Sequence, residues 1–241
     1  MCPDSKSLIF RQLFDKTSST YTYLLADKET LEGLIIDTVI EQHERDLRII
    51  NELGIKLLYT LETHIHADHV TGASQLKNST QCKIMVSIEA RVKNADQTFK
   101  EGDLIKFGRH SLKVISTPGH TGACTSFYLV DSIFGMVFTG DTLLIRACGR
   151  TDFQQGSPEN MYDNINKKLF TLPNETLIFP AHNYMGMTVS TIAEEKKYNP
   201  RLKTSNSKEQ FVEIMKNLKL DYPAQIDVAL PANMNCGKST N

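Results

Sequence analysis

The sequence has very little net charge, because 27 basic residues offset 28 acidic ones and leave a formal value of −1 over 241 residues. Lysine and arginine form no cluster, so the chain lacks the basic patch with which proteins bind nucleic acids or anionic membranes. These absences predict no nucleic-acid partner and no membrane partner. They favour a small-molecule substrate.

Long apolar runs are also missing. No segment approaches the roughly 20 apolar residues that a membrane-spanning helix needs. The first residues include Asp4 and Asp15, have no long apolar core and are poor in arginine. These features argue against a secretory signal and against an organelle-targeting segment. We therefore expect a cytoplasmic protein.

The chain has no C-x-x-C pair. Its five cysteines are odd in number and widely spaced, which indicates reduced thiols in a cytosol-like compartment. Two of them could suggest a nucleophilic thiol, but their local sequences offer no dedicated base to activate one, so a packing role is favoured. The five are Cys2, Cys82, Cys124, Cys148 and Cys236, of which Cys148 and Cys236 are the two in question.

With 40% hydrophobic residues, the chain can bury a large core, and we expect one compact domain over residues 1–241. Apolar and aromatic runs predict strands at residues 8–14, 21–26, 31–39, 55–61, 83–86, 103–107, 111–116, 124–130, 133–139 and 176–179. The first three are expected to be antiparallel neighbours. Helical spacing predicts helices at residues 41–53 before Gly54, at 71–77, and after the Ser157-Pro158 cap, with Met161, Ile165 and Leu169 on one face.

The densest chemical signal follows the strand at residues 55–61. There, Thr63-His64-Ile65-His66-Ala67-Asp68-His69 places three imidazoles and one carboxylate within seven residues. Imidazole suits zinc, copper, iron and nickel, and a neighbouring carboxylate suits a metal that handles oxygen. An H-x-H-x-D-H pattern at a strand end therefore predicts part of a metal site, although the pattern alone allows one metal or two.

Three more metal-binding side chains follow predicted strand ends. His120 comes after a Pro-Gly turn, Asp141 after Thr-Gly, and His182 after Pro-Ala. Glycine at such a turn permits the backbone angle that aims a side chain inward. We expect these residues to join the histidine cluster. The remaining histidines, His43 and His110, are expected to be solvated or structural.

This order of motifs resembles the metallo-β-lactamase superfamily over most of the chain. The resemblance implies an α/β (α+β) fold, a four-layered αββα sandwich with metals at one edge of the sheets. Four longer segments are similar to the persulfide dioxygenases, also called sulfur dioxygenases. They are Thr139-Gly140-Asp141-Thr142-Leu143-Leu144-Ile145-Arg146-Ala147-Cys148-Gly149-Arg150-Thr151-Asp152-Phe153, Pro180-Ala181-His182-Asn183-Tyr184, Asn199-Pro200-Arg201-Leu202 and Pro231-Ala232-Asn233-Met234-Asn235-Cys236-Gly237.

The resemblance to persulfide dioxygenases implies a non-heme iron enzyme that converts glutathione persulfide, O2 and water into glutathione and sulfite. It also implies a homodimer with one Fe(2+) per subunit. The chain departs from that family at Asn183, where the family usually has aspartate, so a charge at the metal edge is missing.

The resemblance assigns the metal to His64, His120 and Asp141. Two histidines and one carboxylate on one face of an iron leave three positions open for the substrate sulfur and oxygen. Four more residues would surround the metal and orient its ligands, namely His66, Asp68, His69 and His182. Related two-metal hydrolases bind zinc with such residues, so partial occupancy by a second metal is the alternative.

The substrate contacts are predicted from charge. Because glutathione carries two carboxylates, the site needs cationic or hydrogen-bonding partners, and guanidinium groups bind carboxylates with two parallel hydrogen bonds. Arg150, Arg201 and Tyr184 are the candidates, with Arg150 and Tyr184 also expected to act at the reacting group. The alternative for Arg150 is a structural pair with Asp152.

The main rival is a two-zinc thioester hydrolase resembling glyoxalase II, which shares the histidine cluster and a glutathione-based substrate. The segments at residues 149–153 and 233–237 fit the persulfide enzymes instead, and the stretch after His182 is short for a substantial helical substrate domain. A non-enzymatic scaffold is disfavoured, because every expected ligand position is filled.

Overall fold

The computed structural model describes residues 7–129 and 135–238. Cys2 and the hairpin positions Val130 and Ile133 lie outside these ranges. Within them, the strands form two six-stranded sheets, and helices cover the outer face of each sheet. None of the helices in the described ranges has the length and apolar content needed to cross a bilayer.

The first sheet contains the strands of the N-terminal half in chain order. Its first three strands pair antiparallel, as the sequence predicts, and the last four pair parallel. The strands are β1 (Leu8–Asp15), β2 (Thr20–Asp27), β3 (Glu32–Ile36), β4 (Lys56–Leu61), β5 (Lys83–Ser87) and β6 (Gln97–Phe99).

The second sheet has the order β12-β11-β10-β9-β8-β7. Only β10 and β11 pair parallel in it, and the other neighbours pair antiparallel. The strands are β7 (Leu104–Phe107), β8 (His110–Ser116), β9 (Thr125–Leu129), β10 (Met136–Gly140), β11 (Leu177–Pro180) and β12 (Ser190–Thr191).

The helices begin and end where capping chemistry allows. Ser157 accepts a hydrogen bond from the Asn160 amide at the start of α3, and Gly54 has a φ of +64° just after α1. The helices are α1 (His43–Glu52), α2 (Ala73–Thr80), α3 (Pro158–Asn164) with a π-helical continuation (Ile165–Leu169), α4 (Ile192–Tyr198), α5 (Lys208–Lys216) and α6 (Ile226–Asn233).

An aromatic core joins the two sheets face to face. Phe10 and Tyr23 of the first sheet contact Phe138 and Phe179 of the second, with ring centroids 5.0 Å apart for both Phe10–Phe179 and Tyr23–Phe138. Each buried aromatic ring contributes roughly 1.5–3 kcal/mol of hydrophobic free energy. The layers therefore run helix, sheet, sheet, helix, which confirms the predicted four-layered αββα sandwich.

The predicted elements agree with the structure except in short or C-terminal segments. Strand β6 has three residues, too few to show an alternating pattern, and it was not predicted. Helices α5 and α6 were also missed. A capping box at Ser207 marks the start of α5, whereas Pro231 inside α6 breaks the usual helix signal.

The topology brings the chemically active strand ends to one edge of the sandwich. Strand β4 leads to His64, β8 to His120, β10 to Asp141 and β11 to His182. Backbone hydrogen bonds close this edge between the sheets, with Tyr21 N donating to Ala181 O at 2.7 Å and Thr125 N donating to Thr63 O at 2.8 Å. These hydrogen bonds fix the two sheets relative to each other at the edge where the candidate ligands lie.

Candidate metal centre

Three of the predicted side chains converge at this edge. One ligand atom each from His64, His120 and Asp141 lies within 4.8 Å of the other two. His120 Nε2 is 3.6 Å from Asp141 Oδ2, and the two imidazole centroids are 4.9 Å apart. We call these three residues the ligand group.

A hydrogen-bonded chain orients His64. The Thr63 backbone N–H and hydroxyl donate to the two carboxylate oxygens of Asp37, each at 2.8 Å. Because the hydroxyl proton is directed to Asp37, the Thr63 oxygen accepts from His64 Nδ1 at 2.9 Å. His64 Nε2 then carries the lone pair that can bind a metal.

The turn after Asp141 orients His120 in the same way. His120 Nδ1 donates to the Arg150 carbonyl at 2.7 Å, which leaves Nε2 as the free acceptor. Gly149 N donates to the Asp141 carbonyl at 2.7 Å. A Cβ at position 149 would lie 2.6 Å from that carbonyl and 2.8 Å from His120 Nδ1, so only glycine fits.

The third member of the ligand group has an unused oxygen. Asp141 Oδ1 is buried and has no hydrogen-bond partner among the described residues; His182 Nε2 is 3.7 Å away. A buried carboxylate oxygen without a partner is costly. Two imidazole nitrogens and one carboxylate oxygen within 4.8 Å of one another fit a divalent transition metal.

The other four predicted residues form a separate set, which we call the carboxylate-paired group: His66, Asp68, His69 and His182. Asp68 Oδ2 is 3.1 Å from His69 Nδ1 and 3.5 Å from His182 Nε2. Burial opposes ionisation of Asp68, but His182 and His69 outweigh it and hold the pKa of that carboxyl well below its usual range. His69 Nε2 is buried without a hydrogen-bond partner in the described part of the chain.

His66 contacts two further buried carboxylates, those of Asp37 and Glu62. Its Nε2 lies 3.2 Å from Asp37 Oδ1 and 3.3 Å from Glu62 Oε2. Burial lowers the pKa of His66, but Asp37 and Glu62 raise it well above its usual range. Its Nε2 is therefore a donor to carboxylate.

The predicted substrate residues lie in three different settings. The Tyr184 ring is 76% exposed and stacks parallel to His182, with centroids 6.1 Å apart. Arg150 donates to both oxygens of Asp152, at 2.7 and 2.8 Å, which is the structural pair foreseen as the alternative. Arg201 Nη1 donates to the Cys148 carbonyl at 2.9 Å.

Asn183 faces the loop that follows it. Its Oδ1 accepts hydrogen bonds from the backbone N–H groups of Met185 and Met187, at 2.9 and 2.8 Å. An amide oxygen serves these two donors as a carboxylate oxygen would. Asparagine in place of aspartate therefore still accepts hydrogen bonds from both of these backbone N–H groups in the loop after His182.

Sequence reasoning missed the residues that support the histidines. For Asp37, the available signal in the sequence was its position as a charged residue at the end of a predicted apolar strand. Asn233 lies in a segment that resembles the persulfide dioxygenases, but neither it nor Glu62 was predicted to support the histidines, because their hydrogen-bond partners are set by the folded loop at residues 62–72. The expected packing role of the thiols fits their surroundings, since burial raises the pKa of both Cys148 and Cys236 to about 11.

Several known proteins are similar to this chain over most of its length. A family model described as the metallo-beta-lactamase superfamily matches residues 16–182, and the chain belongs to that superfamily. "Persulfide dioxygenase ETHE1, mitochondrial" of Mus musculus is 50% identical over 234 residues, covering 97% of this chain and 90% of the relative. The crystal structure of ETHE1 from Myxococcus xanthus is 46% identical with a TM-score of 0.91, covering 95% of this chain and all of that one.

Within the superfamily, the chain belongs to the persulfide dioxygenase family. The hydroxyacylglutathione hydrolase of Cereibacter sphaeroides is a more distant relative. It is 33% identical over 187 residues, which cover 77% of this chain and 71% of the hydrolase.

Proposed function

We propose that this protein is a glutathione persulfide dioxygenase, which oxidises the persulfide sulfur with O2 and water to sulfite and glutathione. The observation that carries the proposal is the ligand group, two imidazole nitrogens and one carboxylate within 4.8 Å of one another. Half of the residues are identical to a named persulfide dioxygenase over nearly the whole chain. The implied cofactor is one Fe(2+) per subunit, held by His64, His120 and Asp141.

Iron held by these three residues would supply the redox chemistry between the persulfide sulfur and O2. The protein supplies orientation. Thr63 and the Arg150 carbonyl each occupy one imidazole nitrogen, so that the other nitrogen is directed to the metal. The imidazoles of the carboxylate-paired group are buried, and the His66 ring packs on the His64 ring.

Tyr184, Arg150 and Arg201 are the proposed substrate contacts. The exposed Tyr184 hydroxyl can donate to the peptide or to the persulfide from its position above His182. Arg150 pairs with Asp152, whose side chain is 57% exposed, so a substrate carboxylate can compete for the guanidinium. Arg201 would bind a second carboxylate through the donors that its Cys148 contact leaves available.

The second candidate function is a two-zinc glutathione thioester hydrolase. It is favoured by one observation: His66, Asp68 and His69 also place ligand atoms within 4.8 Å of one another. The hydroxyacylglutathione hydrolase relative is, however, less similar than the persulfide dioxygenase, at 33% against 50% identity. We therefore place the dioxygenase first.

We also propose a homodimer in the cytoplasm. The buried free thiols Cys82, Cys124, Cys148 and Cys236 suit a reducing compartment. The mouse relative is named as mitochondrial, so the compartment needs a direct test by cell fractionation. Light scattering after gel filtration tests the dimer.

The deciding experiment is metal analysis of protein expressed without added metal, combined with two assays. We expect iron close to one per subunit, O2 uptake with glutathione persulfide, and no hydrolysis of S-D-lactoylglutathione. Two zinc ions per subunit, thioester hydrolysis and no O2 uptake would overturn the dioxygenase in favour of the hydrolase.

A further inference from the structure

A single side chain from the C-terminal helix holds the metal-binding loop. Asn233 is the last residue of α6 and is 4% exposed. Its Oδ1 accepts from the Thr71 backbone N–H at 2.9 Å, and its Nδ2 donates to the carbonyls of His66 at 2.9 Å and His69 at 2.8 Å. All of these partners belong to one loop, at residues 62–72.

The loop needs such a partner because it has no regular secondary structure. His66, His69 and Thr71 are each at most 5% exposed, and a buried backbone group without a hydrogen bond costs roughly 1–3 kcal/mol. The two carbonyls that converge on Nδ2 are three residues apart. Asn233 therefore closes the turn that carries Asp68 and directs the histidines on either side of it.

The same contacts extend to the ligand group. The Thr71 hydroxyl donates to Glu62 Oε1 at 2.5 Å, and Glu62 Oε2 is 3.3 Å from His66 Nε2. The His66 ring in turn packs on the His64 ring, with centroids 4.1 Å apart. A shift of the loop would thus displace His64.

We infer that Asn233 is a positioning residue for the metal centre, which sets the loop conformation through its three hydrogen bonds. The inference rests on the proposed metal site. Contacts other than the Asn233 amide also hold this segment, because Ile226 and Ala229 of α6 are buried and Ser74 Oγ donates to the Cys236 carbonyl at 2.5 Å. These contacts separate positioning of the loop from attachment of the helix.

The test uses Asn233→Asp, which keeps the size and the acceptor for Thr71 but replaces the donor to two carbonyls with an oxygen. Co2+ is the probe, because its visible absorption reports coordination geometry directly. We expect Co2+ affinity to fall about 10–100-fold, as typical for residues that orient ligands, and the absorption band to change shape. Circular dichroism at the assay temperature confirms that the variant is folded.

Ser74→Ala is the matched control, since it removes a buried hydrogen bond to the same C-terminal segment without touching the loop. It should lower the melting temperature and leave the Co2+ affinity and spectrum unchanged. Asn233→Ala is a second variant, in case the carboxylate prevents folding.

Unchanged Co2+ binding in a folded Asn233 variant would overturn the inference and leave the proposed function intact. An equal loss in Ser74→Ala, or unfolding of both Asn233 variants, would also overturn it, because either result assigns Asn233 to helix docking or overall stability. Failure of the unsubstituted protein to bind Co2+ would reject the metal site itself, and the inference with it.

Discussion

The two groups of candidate metal ligands at the sheet edge differ in the partners that their side chains already contact. In the ligand group, each imidazole uses one nitrogen for a neutral partner, the Thr63 hydroxyl or the Arg150 carbonyl. In the carboxylate-paired group, the imidazoles already face carboxylates: His66 faces Asp37 and Glu62, and His69 faces Asp68.

This difference bears on how many metals the site binds. A cation in the ligand group gives the buried Asp141 Oδ1 its missing partner. In the carboxylate-paired group, Asp68 already pairs with His69 and His182, although His66 Nδ1 and His69 Nε2 are buried without a hydrogen-bond partner in the described part of the chain. Asp68 is therefore less available to a cation than Asp141, and the comparison favours one metal, in the ligand group, with the second set acting as support.

The largest expected effect separates His64 from His66. His64→Ala leaves two protein ligands, so we expect loss of both bound iron and O2 uptake. His66→Ala removes a residue that supports the site, and we expect a loss of about 10–100-fold in metal affinity or activity with the site retained. Both variants are saturated with ferrous iron under anaerobic conditions, and bound iron is measured after desalting.

Equal loss of iron in His64→Ala and His66→Ala would contradict the distinction between the ligand group and the carboxylate-paired group. It would make His66 a direct ligand through its unpartnered Nδ1, and the three-ligand site would have to be abandoned. His43→Ala is a suitable control, because this half-buried histidine of α1 hydrogen-bonds to the Ser79 side chain and lies outside both groups of candidate ligands.

The second-largest expected effect concerns Thr63, whose hydroxyl connects Asp37 to His64 through hydrogen bonds. Thr63→Val keeps the shape of the side chain but removes the hydroxyl that links the two. Without that acceptor, His64 loses its fixed ring orientation, and we expect iron affinity to fall about 10–100-fold. Iron dissociation constants from chelator competition measure the change.

Thr22→Val provides the control for this substitution. Thr22 is equally buried, and its hydroxyl donates to the Asp37 backbone carbonyl at 2.7 Å without contacting a histidine. Its loss should lower stability by about 1 kcal/mol and leave iron affinity unchanged. If the two valine variants weakened iron binding alike, the orienting role of Thr63 would be rejected.

The strand ends that carry the metal-binding residues were predictable from the sequence, because local patterns mark them. H-x-H-x-D-H follows an apolar run, and His120, Asp141 and His182 follow turns with glycine or proline. The predicted sandwich then brings these ends to one edge, as the structure confirms. Assignment of the metal to three of these residues is still a prediction.

The supporting residues were not predictable in the same way. Asn233 meets the histidine loop from about 160 positions away in the chain, and Glu62 gains its meaning only when Thr71 and His66 pack around it. Such contacts depend on tertiary packing, which single-sequence periodicity does not encode. The Arg150 backbone shows the same limit: its side-chain pair with Asp152 was predicted as an alternative, but the hydrogen bond from His120 Nδ1 to its carbonyl was not.

The smallest expected effect concerns Arg201, whose guanidinium donates to the Cys148 carbonyl. If Arg201 binds a glutathione carboxylate, Arg201→Ala should raise KM about 10-fold, since a charge-assisted hydrogen bond contributes roughly 1.5–3 kcal/mol. Turnover should change less, because that contact exists in both the ground state and the transition state. Initial rates of O2 uptake over a range of glutathione persulfide concentrations give both constants.

The alternative is that Arg201 has only a structural role, through the hydrogen bond from its Nη1 to the Cys148 carbonyl. That carbonyl precedes the Gly149-Arg150 turn that orients His120, so a purely structural Arg201 would lower the melting temperature and leave KM unchanged. Arg48→Ala on α1 is the control, because this arginine is exposed and pairs only weakly with Glu52. A raised KM in Arg201→Ala alone would support the proposed binding of a glutathione carboxylate by Arg201.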